Sequence, residues 1–203
     1  MIPYRIDYTA EACFDVGNDG RYLTAVAGKI VDTRKGAVAG SITAFKVNTC
    51  QMRSVGIDPV TALSLEESTE NYCHLFINSQ LDMELQATAG LPGTDNVLIL
   101  DRLYVYPNYR GHMLGLAAMA NTISVWAPGE EISLLKAFPL QLMANIAPSE
   151  RHKYKGLETD PEKATRALIK YYAQLGFRQV GQTRLMVMRQ VHETKLFARL
   201  CAR

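Results

Sequence analysis

At 203 residues the chain has the length of one domain and can bury about 70% of its unfolded surface without disulfide or metal staples. Its 48% hydrophobic and 21% charged residues exclude a disordered or fibrous protein. The net charge of +2 hides a dipole: residues 1–150 hold 10 basic and 16 acidic side chains, residues 151–203 hold 12 and 4, and the singly spaced bases of the last quarter read as a solvated face or a polyanion-binding one.

The first twenty residues carry Arg5, Asp7, Glu11, Asp15 and Asp19 and no continuous apolar core, so no secretory signal is read and a cytoplasmic location is expected. Tyr22 to Asp32 and Ala37 to Thr49, split by Thr33-Arg34-Lys35-Gly36, predict two antiparallel strands with a short turn. Asp58-Pro59 supplies a helix cap and a first-turn proline, and one or two helices are expected through Leu85 before the breaker Gly90-Leu91-Pro92-Gly93. Val97 to Leu100 and Leu103 to Val105 form a dense apolar strand in which Asp101 and Arg102 are the only charges, the pattern of a central strand with a functional interruption.

Leu114 to Trp126, stopped by Pro128-Gly129, predicts a helix, and Ile132 to Phe138 a strand ending before Pro139. Strand, helix, strand implies parallel pairing through a right-handed crossover. The uncharged run from Gly111 to Gly129 has the length of a membrane span, but Asn121, Thr122, Ser124 and Pro128 mark a buried helix, so no membrane partner is expected. Thr159 to Gly176 reads as a further helix, with Thr159 and Glu162 as a capping box, Pro161 in the first turn and Gly176 at a left-handed exit. Ala164, Ala167, Leu168, Tyr171, Tyr172 and Leu175 make one apolar stripe on it. Phe177 to Val180 and Arg184 to Met188 close the chain as two strands. No repeat, linker or low-complexity segment divides it, and a single mixed α/β domain over residues 1–203 is expected.

Cys13, Cys50, Cys73 and Cys201 are far apart and form no Cys-x-x-Cys pair, which predicts reduced core thiols rather than a zinc site or redox dithiol. His74, His152 and His192 lack partners at metal-ligand spacing, so no metal is expected.

The densest chemistry lies between Asp101 and Leu116, a buried strand followed by a basic turn and a helix start. At such a junction the first helical N–H groups have no intrahelical partner and carry about half a positive charge from the helix dipole. A pyrophosphate fits there. Tyr171-Tyr172-Ala173-Gln174-Leu175-Gly176-Phe177 follows about fifty-five residues later. Together the two segments resemble the GNAT superfamily of N-acetyltransferases, over about residues 97–190, whereas residues 1–96 match only in general order.

The resemblance implies an α/β (α+β) fold with a mixed, largely antiparallel central sheet flanked by helices and a parallel strand–helix–strand unit at the CoA site. Residues 97–190 would be the acetyl-CoA-binding half and residues 1–96 the acceptor side. The superfamily's Arg/Gln-x-x-Gly-x-Gly/Ala turn falls on Arg110, Gly111, His112, Met113, Leu114 and Gly115, with Met113 in place of the first motif glycine. If that position takes positive φ, methionine costs about 1–2 kcal/mol there. Acetyl-CoA contacts are implied at Leu103, Tyr104, Val105, Arg110, Gly111, His112, Met113, Leu114, Gly115 and Leu116, with a backbone N–H near Leu103 or Val105 polarising the thioester carbonyl.

Two catalytic residues are implied. Tyr172 of Tyr-x-x-x-Gly-Phe takes the place of a tyrosine that faces the coenzyme A sulfur and protonates the leaving thiolate, the plain alternative being a stripe residue with Tyr171 beside it. Asp101 in Leu-Asp-x-Leu-Tyr-Val matches the acid of polyamine-type members, the alternative being a strand-end ion pair with Arg102 or another base. A base is needed because an amine of pKa about 10.4 is neutral in only about one molecule in 2,500 at pH 7. The asparagine that members often carry on the tyrosine helix is absent, with Thr165 near its place.

The expected activity is therefore acetyl transfer from acetyl-CoA, as co-substrate and without a metal, directly to a primary amine. An acidic N-terminal half is compatible with a cationic acceptor such as a polyamine, an aminoglycoside or a protein amine, and Lys136 to Gln141 and the loop through Gly156 border its pocket. A degenerate domain that binds acyl-CoA or a protein without turnover is the alternative. A homodimer stays open; a nucleic-acid partner is not expected, since no aromatic-basic RNA motif or helix-turn-helix signature is visible.

Overall fold

The computed structural model describes residues 3–12, 22–64, 67–78, 80–90, 96–128, 131–144, 146, 153–189 and 195–201. The strands are β1 (Tyr4–Ala12), β2 (Leu23–Asp32), β3 (Ala37–Val47), β4 (Phe76–Ile77), β5 (Gln80–Leu81), β6 (Val97–Val105), β7 (Ile132–Lys136), β8 (Arg178–Gln179) and β9 (Leu185–Arg189). The helices are α1 (Thr49–Ser54), α2 (Pro59–Leu63), α3 (Glu67–Glu70), α4 (Met83–Ala89), α5 (Leu114–Trp126), α6 (Pro161–Ala173) and α7 (Lys195–Cys201). Seven strands form one sheet in the order β1-β2-β3-β6-β7-β9-β8, antiparallel except for β6 against β7. The fold is thus mixed α/β, with a large, mostly antiparallel central sheet flanked by helices.

Two cores cover the sheet's faces. Val97 and Ile99 of β6 pack with Met52, Leu63, Leu85 and Ala89 from α1, α2 and α4. Leu98 and Leu100 pack on the opposite face with Leu116, Met119 and Ile123 of α5 and Phe197 of α7. Helix α5 is buried nearly all round, from Leu114 through Ala120 and again at Thr122 and Ile123, which is why its sequence lacks a polar stripe. None of the described helices is long and apolar enough to cross a membrane.

Strand β1 lies in the segment read only for its charges. The alternation was there: Tyr4, Ile6 and Tyr8 are half-buried while Arg5, Asp7 and Thr9 face water. The Tyr4 hydroxyl donates to the Ala117 carbonyl at 3.0 Å, and the Tyr8 hydroxyl donates to Asn121 Oδ1 at 2.9 Å with Thr122 Oγ1 equally close. The polar residues that mark α5 as a helix for a soluble core are thus partners of the edge strand.

Other boundaries match or shift for identifiable reasons. The turn at 33–36 falls between β2 and β3 as expected, but β3 stops at Val47, and Thr49 opens α1 instead of ending the strand. The Asp58 carboxylate accepts from Val60 N–H at 3.1 Å, as a cap before Pro59 should. The expected capping box at Thr159 is corrected: Pro161 is the first helical residue, so the residue before it, Asp160, is the cap and accepts from Lys163 N–H at 2.8 Å. Strand β7 ends at Lys136, two residues before the expected Phe138. The expectation of core thiols also fails, since Cys50 is exposed and Cys73 and Cys201 are only half-buried; Cys13 lies outside the described residues.

Candidate functional site

Two neighbours pull β6 and β7 apart. They pair in parallel from Val97/Ile132 to Leu100/Leu135 and no further. Beyond that point β6 follows β3, with Val105 opposite Gly40 and Tyr106 N–H on the Ala39 carbonyl. Strand β7 follows β9 instead, with Lys136 opposite Leu185 and Ala137 N–H on the Arg184 carbonyl at 2.7 Å. Among the described residues, Asp101 to Val105 then have no strand partner on the β7 side, and a cleft opens. Its volume is about 550 Å³, and its walls come from β6, the turn at 109–116, Lys136 to Gln141, and α6.

A β-bulge marks the point of parting. The register against β3 runs Thr43 to Arg102 and then Ala44 to Leu100, which leaves Asp101 opposite no residue. One extra residue changes the alternation: Leu98, Leu100, Leu103 and Val105 pack toward α5. Asp101 turns the other way, where the buried Tyr72 hydroxyl donates to its Oδ1 at 3.0 Å. Arg102 Nε lies 3.3 Å from Oδ2, so the ion pair weighed as the alternative for Asp101 is present. The Thr43 hydroxyl is buried beside the carboxylate but outside hydrogen-bonding geometry, and has no partner among the described residues. Burial pushes the Asp101 carboxyl above its ordinary value, against the lowering effects of Tyr72, Arg102 and Thr43.

The turn carries two residues with positive φ, Gly111 at 77° and Met113 at 59°. Position 113 thus needs the conformation that favours glycine, and methionine holds it with its side chain 40% exposed. Met113 cannot cap α5 with its side chain, and no side-chain cap is present. The first intrahelical bond there is Ala117 N–H to the Met113 carbonyl, which leaves the N–H groups of the first turn without an intrahelical partner. A Met113→Gly change removes about 1–2 kcal/mol of strain and restores about 0.5–1 kcal/mol of chain entropy. We expect a net gain between zero and about 1.5 kcal/mol, seen as a higher urea midpoint; a lower midpoint would mean that the methionine stabilises by packing.

Gly115 stands where the helix meets α6. A Cβ there would lie 2.6 Å from the Tyr171 hydroxyl and 3.3 Å from Leu103 Cδ2. The Tyr171 hydroxyl lies toward the Leu116 backbone N–H, and burial pushes its pKa up to about 12. Tyr172 is beside it, ring centroids 5.6 Å apart, and burial raises its pKa further. Both tyrosines line the cleft, as do Ala164, the exposed Ala167 and Leu168 of the same stripe.

The remaining residues divide. Leu103, Tyr104, Val105, Gly111, Met113, Leu114, Gly115 and Leu116 line the cleft with Asp101. His112 is exposed and outside the lining. Arg110 lines it, yet its guanidinium is committed to backbone carbonyls: Nε donates to Val105 at 3.0 Å, Nη1 to Lys155 at 3.1 Å and Nη2 to Lys153. The Tyr104 hydroxyl also donates to the Lys153 carbonyl, and the Tyr154 ring meets the Tyr104 ring edge-on. Arg110 therefore holds the 153–157 loop against the cleft instead of presenting a free charge.

No family model and no curated protein matches the chain. The functional reading rests on the cleft itself. Tyr72 and Thr43 were not singled out from the sequence, because their approach to Asp101 joins elements 29 or more residues apart and no local pattern announces it. Among the described residues, no three His, Cys, Asp or Glu side chains are grouped as a metal site requires.

Proposed function

We propose that the chain is a GNAT-type N-acyltransferase that moves an acetyl group from acetyl-CoA to a primary amine. The observation that carries this reading is the parting of β6 from β7 at a bulged aspartate, directly beside an uncapped helix N-terminus. The free edge of residues 101–105 suits an extended amide-bearing arm, which can add to it as a strand would. The first turn of α5 and the positive-φ turn before it suit the pyrophosphate. Residues 97–190 would supply this half, and residues 1–96 the acceptor side through Tyr72 and Thr43.

In this reading an ammonium acceptor first gives one proton to the Asp101 carboxylate. The nitrogen lone pair then forms the C–N bond at the thioester carbonyl, whose oxygen takes a hydrogen bond from a β6 backbone N–H. The C–S bond breaks, Tyr172 gives its proton to the thiolate, and the proton lost from nitrogen restores the phenol. Amide and thiol leave, and Asp101 releases its proton to water. A raised carboxyl pKa makes Asp101 a better base, whereas the buried Tyr172 phenol is a weaker acid than a thiol of pKa about 8.5 and gives up its proton only as it takes the one leaving the nitrogen.

Thiol release from acetyl-CoA in the presence of primary amines tests the activity, and two tyrosine variants test the roles. Tyr172→Phe should lower kcat by about 10²-fold with acetyl-CoA affinity retained. Tyr171→Phe, at the Leu116 N–H, should change affinity more than kcat. The reverse pattern would exchange the two assignments. A domain that binds acyl-CoA without turnover is the second reading, favoured by Met113 at positive φ and by the commitment of Arg110 to carbonyls; binding without release on any amine would support it.

A further inference from the structure

The charges on the cleft wall narrow the acceptor. Asp101, Arg102, Arg110, Lys136 and Glu158 are the charged side chains in the lining. Arg110 is held by three carbonyls, and the Glu158 carboxylate accepts from the Thr159 and Asp160 N–H groups at 2.9 and 3.0 Å, ahead of α6. At the bulge the wall offers one anion and one cation side by side, and Lys136 at the end of β7 is a further cation of the lining. A polyamine or aminoglycoside would meet a carboxylate that already faces a guanidinium, and the other anion of the lining, Glu158, already holds two backbone N–H groups.

A zwitterion fits better on both counts. Arg102 reaches Asp101 through Nε alone; its side chain is 56% exposed, and among the described residues its two Nη groups make no hydrogen bond. A planar fork with free donors is the group that binds a carboxylate bidentately. Beside it, the Asp101 oxygens are acceptors for an amine. The Tyr72 phenol fixes the carboxylate from below. Resting on the acyltransferase reading, we infer that the acceptor is an amine that carries its own carboxylate, an amino acid, with its nitrogen at Asp101 and its carboxylate on Arg102. The positive guanidinium beside the amine also favours the neutral, nucleophilic form.

Matched acceptors test this: leucine against 3-methylbutylamine, phenylalanine against phenethylamine, and spermidine, each assayed for thiol release with saturating acetyl-CoA. The amino acid of each pair should have the higher kcat/KM by about tenfold or more, since a site built for a polar group discriminates against analogues lacking it. Arg102→Gln should bring that ratio close to one, and Arg102→Lys should recover only part of it. An amine or spermidine that equals or exceeds the amino acids would overturn the inference, as would an Arg102→Gln variant that keeps the ratio. Release on amines alone removes the amino-acid acceptor and leaves the acyltransferase reading intact. If calorimetry detects no acetyl-CoA binding, both fall.

Discussion

Replacing Asp101 by asparagine is expected to lower turnover by about 10²–10⁴-fold, the usual worth of positioned proton transfer, while acetyl-CoA affinity holds. Asparagine keeps the shape and can still accept from the Tyr72 hydroxyl, so the loss would report the missing base and not a collapsed bulge. The pH dependence adds a second readout. Wild-type rate should fall as pH drops through the Asp101 pKa, which burial raises above the ordinary carboxylate value, and the variant should lack that acid limb. Stability has the opposite sense. With the folded pKa above the unfolded one, the contribution of Asp101 is complete below the unfolded value and is lost as pH rises through the folded value. At neutral pH the variant should therefore unfold at the wild-type temperature or slightly above it. Wild-type turnover in Asp101→Asn would remove this residue from the chemistry.

Gly115→Glu is expected to abolish acetyl-CoA binding. The added Cβ meets the Tyr171 hydroxyl at 2.6 Å and Leu103 at 3.3 Å, so the new side chain cannot lie inward and must project along the first turn of α5. There its carboxylate would face the bound pyrophosphate. Two like charges about 4 Å apart at an effective dielectric constant of about 20 repel by about 4 kcal/mol, roughly a thousandfold in affinity. Gly115→Ala separates the two causes: it brings the same contact on Tyr171 without the charge, and the tyrosine can shift, so its loss should be much smaller. Equal losses in the two variants would locate the effect in packing, and unchanged affinity in Gly115→Glu would place the phosphates elsewhere.

What was legible in the sequence follows how local the cause is. The hairpin of β2 and β3, the span of α5 and the apolar run of β6 depend on neighbouring residues, and their periodicity or turn chemistry identified them. Even the cost foreseen for Met113 was local, a matter of one φ angle, and the structure gives that angle as 59°. The cap of α6 moved by one residue because Pro161 sets where the first turn starts. Strand β1 gives a weaker signal, since its alternation of period two is only half-buried and ends after Tyr8.

The site was half visible. Asp101 and Arg102 stood out as charges in an apolar strand, yet the bulge that turns Asp101 away from α5 arises from pairing with Thr43 and Ala44, far off in the chain. Tyr72 could not be read at all, since nothing in its own segment anticipates a hydrogen bond to β6. The motif arginine misled in a different way. Its basic charge suggested a phosphate ligand, whereas the folded chain spends its donors on the carbonyls of Val105, Lys153 and Lys155.

Calorimetric titration of the purified protein with acetyl-CoA should show saturable, one-to-one binding in the micromolar range. No detectable heat up to about 1 mM, the upper end of ordinary substrate concentrations, would contradict it, because a cleft with a free strand edge and an uncapped helix N-terminus would then be serving some other ligand.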